Sequence, residues 1–250
     1  MPPDATAPEA SPAPNSPPAG GLLVIPVPGI GEIARSTDLA ATITRAAVLA
    51  DGDVVVVTQK IVSKAEGRMV QIDPDDPDAK RALVESESVR VLRRRGPLVI
   101  SETRQGFICA NAGVDLSNVP QGQAALLPLD ADRSSRRIRE RILALAGVRV
   151  AVIISDTFGR PWRRGVVDVA IGCAGVAAVV DLRGTADATG RELVATEMCI
   201  ADEIASAAEL VMGKDRGIPV AVVRGIDAVW LRRSSVAEEI LRPTSEDLFR

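Results

Sequence analysis

Runs of β-branched residues alternate with stretches of helical spacing along this chain, which predicts a mixed α and β protein. Apolar runs at 22–27, 54–57 and 148–154 read as strands, and the unbroken valines of 54–57 read as a strand buried on both faces. Shorter runs at 98–100, 107–109, 124–127, 166–171, 177–182 and 220–223 add further strands. Helical spacing covers 39–50, 134–146 and a long region at 191–212, whose segment 201–208 is rich in small residues suited to close packing. The stretch 78–92 reads as a helix closed by Arg93, Arg94 and Arg95, where cations suit the helix dipole, and 235–241 as a short last helix. Turns fall at Pro28-Gly29-Ile30-Gly31, at 73–78 and at Gly106, and 59–67 reads as a connecting segment carrying Lys60 and Lys64.

One apolar run ends on chemistry. Residues 150–154 lead into Ser155, Asp156 and Thr157, and then into Arg160, Arg163 and Arg164. A buried strand would present Asp156 and Thr157 at its C-terminal end, where α/β proteins commonly bind ligands.

Composition narrows what those residues can do. A chain of 250 residues with 46% hydrophobic content can bury a sizeable core in one large domain or two joined ones. Residues 1–19 are rich in Pro, Ala and Ser, lack periodicity and are expected to be a disordered tail, with the ordered domain spanning 20–250. No window reaches the ~18 apolar residues of a membrane span, and the N-terminus lacks a signal-peptide pattern, so a cytoplasmic protein without a membrane role is expected. Histidine is absent, which removes Ser-His-Asp triads, Cys-His catalysis and His-ligated zinc. A net charge of −3, with three Phe, two Trp and no Tyr, argues against nucleic acid as a partner. Cys109, Cys173 and Cys199 are far apart and read as buried free thiols.

Four constellations remain. Asn111-Ala-Gly113-Val-Asp115-Leu-Ser117-Asn118 is either an Asx-type loop or a carboxylate and amide site. Asp156 and Thr157 offer the further oxygens that a hard divalent cation would need. Two such carboxylates about 4 Å apart would repel by roughly 4 kcal/mol at an effective dielectric of ~20, a cost a cation reverses. The Pro28–Gly31 turn and the Gln59, Lys60, Ser63 and Lys64 group offer donors for phosphate, although no G-x-x-x-x-G-K-[ST] loop occurs. Arg160, Arg163 and Arg164 suit phosphate or carboxylate recognition, with structural ion pairs as the competing reading. Met212-Gly213-Lys214 is accounted for by a helix C-cap.

Taken in order, four motifs resemble the coenzyme F420-0:γ-glutamyl ligases, called CofE in archaea and found as the N-terminal domain of larger actinobacterial proteins. They are the segments 59–67, 111–118, 155–163 and 201–208, within a resemblance that runs from 22 to 249. The resemblance implies an α+β, two-lobed fold and an intertwined homodimer. It implies GTP as co-substrate, with L-glutamate and coenzyme F420-0 as the other substrates. Mg²⁺ or Mn²⁺ would sit on Asp115, Asp156 and Thr157, with a monovalent cation as a further option. It places nucleotide contacts at Ile30, Gly31, Glu32, Ile33, Gln59, Lys64, Asn118 and the segment Met212, Gly213 and Lys214 onward, and gives Asp115, Asp156 and Arg160 catalytic parts. Lys214 departs from the archaeal pattern, which has a glutamine ligand there, because an ammonium cannot coordinate a metal. Actinobacterial relatives continue into an FMN-binding domain, so a fused or missing partner domain is expected. The alternative is a nucleotide- and metal-binding module without catalysis of its own.

Overall fold

The computed structural model describes residues 17, 20–73, 75–76 and 78–247; the tail expected over 1–19 lies outside them except for Pro17. Along the chain the elements are β1 (Leu23–Pro26), α1 (Leu39–Ala46), β2 (Val54–Thr58), α2 (Gln59–Ala65), β3 (Met69–Gln71), α3 (Ala79–Glu87) and β4 (Ser88–Arg95). There follow β5 (Leu98–Thr103), β6 (Ile108–Ala110), β7 (Gln123–Ala125), α4 (Ala131–Ala146), β8 (Ala151–Arg160) and β9 (Arg163–Ala174). The last are β10 (Val180–Asp181), β11 (Glu197–Met198), α5 (Ile200–Met212), β12 (Val220–Arg224) and α6 (Val236–Glu239). The mixed α and β character matches the sequence expectation.

The main sheet has the order β1-β12-β2-β8-β9, with β2 and β8 parallel and the other neighbours antiparallel. All four valines of β2 are fully buried, so this strand is covered on both faces, as an unbroken apolar run demands. Helix α5 packs across the sheet, and α4 lies on β8 and β9 with α1 beside it. Gly172 of β9 makes the α4 contact possible, because a Cβ there would stand 2.3 Å from the Ala131 carbonyl carbon. Asp132, buried at the start of α4, accepts from the amides of Cys173, Val236 and Ala237 and so ties α4 to β9 and α6.

A second, smaller core of Val84, Val99, Ala112, Val114, Ala124 and Leu126 lies under the three-stranded sheet β4-β5-β6 and the pair β3-β7. The two hydrophobic cores give each part its own interior.

Several expectations need correction. Segment 59–67 is not a plain connection: α2 begins at Gln59, directly after Thr58, the last residue of β2. The helix expected over 78–92 stops at Glu87, and Ser88–Arg95 form the edge strand β4, paired to β5 with two register shifts. The three arginines therefore stand on a strand, and charged edges discourage further pairing. The helix expected over 191–212 starts only at Ile200, and α1 ends at Ala46, short of residue 50. The strand expected to stop at 154 runs on to Arg160, turns at Pro161-Trp162 and returns as β9. Of 177–182, only Val180–Asp181 form a strand.

Candidate functional site

The site lies where β8 outruns its parallel neighbour. Thr58 pairs with Ser155 as the last β2–β8 rung, so Asp156 and Thr157 emerge beyond the end of β2 while still paired to Val169 and Asp168 of β9. A register shift between Ile154 and Ser155 marks the same point, a common device for re-aiming side chains near a site. Helix α2 starts at that edge and carries Gln59, Lys60 and Lys64 with it.

The second lobe delivers Asp115. Asn111 and Ala112 take positive φ, and Gly113 follows at φ +68, where a Cβ would stand 2.6 Å from Leu127. Only glycine fits there without displacing Leu127. The chain then returns as a bridge between Asp115 and Ala125, closed by amide-to-carbonyl bonds of 3.0 and 2.9 Å. The Asp115 carboxylate accepts from the Ser117 amide at 2.7 Å and pairs with Lys60 Nζ at 2.9 Å; Lys60 also donates to Ser117 Oγ. Burial alone would raise the Asp115 carboxyl, but Lys60 and the Ser117 amide outweigh it and hold it below its ordinary value.

Asp156 behaves oppositely. Burial pushes its carboxyl up to about 7, opposed by the Thr157 amide and by Lys60 and assisted by the charges of Asp115 and Asp168. The charges of Asp115 and Asp168 thus reach the Asp156 carboxyl. The same burial, with the Asp156 charge, lifts the Cys109 thiol to about 12. All three cysteines are free; Cys109 and Cys173 are buried and Cys199 is half-buried.

Asp168 is the residue sequence reasoning missed. Its buried carboxylate accepts from Ser155 Oγ at 2.9 Å and from Thr157 Oγ1 at 2.6 Å, and pairs with Lys214 Nζ at 3.0 Å. Lys214 also pairs with Glu209 at 3.1 Å and donates to Thr157 Oγ1. Burial would lower the Lys214 ammonium, yet Asp168 and Glu209 raise it above its ordinary value. No signal within the β9 sequence marks Asp168 out, because its role comes from the register that sets it opposite Thr157.

These groups line a cleft of about 320 Å³ together with Gly31, Glu32, Ile33, Gln59, Lys64, Asn118 and Gly213. Asn118 Nδ2 donates to the Lys214 carbonyl at 3.2 Å, which links the Asp115 loop to the end of α5. The Gln59 side chain is buried, and its Nε2 has no hydrogen-bond partner among the described residues. Ile30 and Met212 are instead core residues, and Asp115 is not among the lining residues but pairs with Lys60, which is. Arg160, expected to take a catalytic part as a cation around the phosphates, is not among the lining residues, and its buried Nε has no hydrogen-bond partner among the described residues.

The oxygens of Asp115, Asp156 and Thr157 are of the type a hard divalent cation takes, with Lys60 now paired to Asp115 and Lys214 donating to Thr157. Asp156 takes no part in the ion pairs among the described residues, and carboxylate and hydroxyl oxygens are the ligands Mg²⁺ prefers. No group of three or more carboxylates among the described residues forms a ready-made cage. Such a donor set suits an ion that keeps water and phosphate oxygens in its shell.

A family profile described as F420-0:Gamma-glutamyl ligase matches residues 29–225, which include every lining residue of the cleft. The chain belongs to that family. It is similar to the coenzyme F420:L-glutamate ligase of Methanopyrus kandleri, 43% identical over 246 residues, covering 92% of this chain and 98% of the relative. The protein of the same name from Methanothermobacter thermautotrophicus is 40% identical, covering 92% and 99%. That from Archaeoglobus fulgidus is 42% identical, covering 91% and 96%. The family's match thus takes in both lobes and the cleft between α2, β8 and α5. No helix among the described residues is long and apolar enough to cross a membrane.

Proposed function

We propose that the protein is a GTP-dependent ligase that adds L-glutamate, through a γ-linked amide, to coenzyme F420-0. The observation that carries the reading is the cleft itself: two lysines on one helix share its lining with half-buried Asp156 and Thr157 and buried Asp168, in a member of this family. Histidine-free phosphoryl transfer is consistent with it, because that chemistry needs positioning and charge neutralisation more than proton shuttling.

A free carboxylate is a poor electrophile for an amine. In the proposed route an oxygen of the acceptor carboxylate attacks the γ-phosphorus of GTP, the bond to the bridging oxygen breaks, and GDP leaves. The glutamate amine then attacks the acyl carbon, the C–O bond to phosphate breaks, and the surplus amine proton passes to water. Lys60 is committed to Asp115, so Lys64 is the ammonium available to the phosphates, its partner Glu32 being 79% exposed and easily displaced. Asp115, Asp156 and Thr157 are the residues that would hold Mg²⁺ or Mn²⁺, which would neutralise phosphate charge when bound. The reading includes the homodimer that the family resemblance implies.

The test is a mass-spectrometric assay of purified protein with GTP, Mg²⁺, L-glutamate and F420-0. Glutamylated product and GDP in equal amounts are expected. GTP binding by folded protein without any product would favour a non-catalytic nucleotide-binding module.

A further inference from the structure

A second cavity, of about 300 Å³, shares a wall with the cleft. Glu32, Ile33 and Lys64 line both, so the Lys64–Glu32 pair at 2.6 Å forms the partition. The pair is lopsided: the Lys64 side chain is 13% exposed, Glu32 79%. Arg35, Met69 and Gln123 stand on the far side.

Arg35 is placed there by its surroundings. The Ser36 amide bonds to the Ala65 carbonyl at 2.7 Å, which pins the segment to the end of α2. Gly67, at φ +72, leaves the space that the arginine side chain crosses, since a Cβ there would stand 2.8 Å from Arg35 Nε. Among the described residues Arg35 enters no ion pair, although most other groups near the cleft are paired. Arg35 is exposed, and a guanidinium without a carboxylate, lying across Gly67 beside an amide and two apolar side chains, matches a small carboxylate-bearing ligand.

The geometry points to this second cavity as the binding site of the free amino-acid substrate, a dicarboxylic amino acid held by Arg35. Arg35 takes one carboxylate in a forked pair, the Gln123 amide donates to the other, and Met69 and Ile33 cover the methylenes. The ammonium falls to Glu32, which is released once nucleotide phosphate occupies Lys64. Because Glu32 faces both cavities, the amine is then held at the boundary across which the activated acceptor lies. Glutamate binding therefore depends on nucleotide being bound first.

This inference rests on the ligase reading, and the experiment separates the two. In steady-state assays Arg35→Met raises the KM for L-glutamate by roughly 10-fold or more, the scale of a lost charged hydrogen-bonded pair, and leaves the KM for GTP where it was. Arg35→Lys, which keeps the charge without the fork, gives an intermediate value, and it decides the matter if the Met variant does not fold. Calorimetric titration of wild-type protein with L-glutamate shows binding only when a non-hydrolysable GTP analogue is present. An unchanged glutamate KM in both variants, with wild-type protein active, overturns the site and leaves the ligase standing. Glutamate binding without nucleotide overturns the ordering. Absence of any amide product from wild-type protein overturns the ligase reading itself.

Discussion

Lys214 Nζ lies 3.0 Å from Asp168 Oδ1, so the ammonium at the end of α5 neutralises a carboxylate that is only 2% exposed. The contact joins α5 to the β8–β9 pair at the floor of the cleft. Lys214→Met strands that carboxylate and is expected to cost about 1–2 kcal/mol, less than a wholly buried pair because the lysine is half-exposed. Urea unfolding of the two proteins measures it; equal midpoints would show that Asp168 needs no cation.

On the proposed ligase reading, Asp156 would make cation binding pH-dependent. Its carboxyl titrates near 7 and must lose its proton to ligate, so Mg²⁺ affinity is expected to rise as the pH increases through about 7, with proton release on binding. The stability sign is the reverse. A carboxyl whose folded value lies above its unfolded value favours the folded state at low pH, so in metal-free protein this contribution fades as pH rises from about 4 to 7. Asp156→Asn is expected to keep the fold, flatten both profiles and abolish metal-dependent turnover. Calorimetry in buffers of different ionisation enthalpy reads the proton release, and an unaltered count in the variant would assign it elsewhere.

Asp53 is fully buried at the start of β2, held by a two-point pair with Arg224 of β12 at 2.7 and 2.8 Å and by the Ala50 amide. Removing one member of such a pair leaves a buried charge, so Arg224→Met is expected to destabilise by about 3 kcal/mol or more. Asp53→Asn, which removes the charge, should cost less. The order of the two denaturation midpoints checks the argument.

Much of the frame was legible because it was local. The four valines of β2 announce a two-faced buried strand, and α1 starts at Leu39 as its spacing predicts, capped by Asp38; α4 starts at Ala131, three residues before the expected 134, because Asp130 accepts the Arg133 amide. Helix α2 escaped because it follows β2 without a break and Thr58 gives no side-chain cap. Strand β4 escaped although it forms a tight hairpin with β5, because its run of arginines and exposed Val89 carry no burial signal and two register shifts break its pairing. The site divides the same way. Asp115, Asp156 and Thr157 stand in short motifs, whereas Asp168 and Glu209 acquire their places only from strand register and helix docking.

The seamless passage from Thr58 to Gln59 mounts Lys60 and Lys64 on the sheet as stiffly as the sheet itself. Their spacing from Asp156 is a fixed dimension of the scaffold. Elsewhere in the lining Gly31, Gly213 and Gly217 hold positive φ, which residues with side chains rarely adopt. One wall of the cleft is thus set by the sheet, and the shape of the rest depends on those three positions remaining glycine.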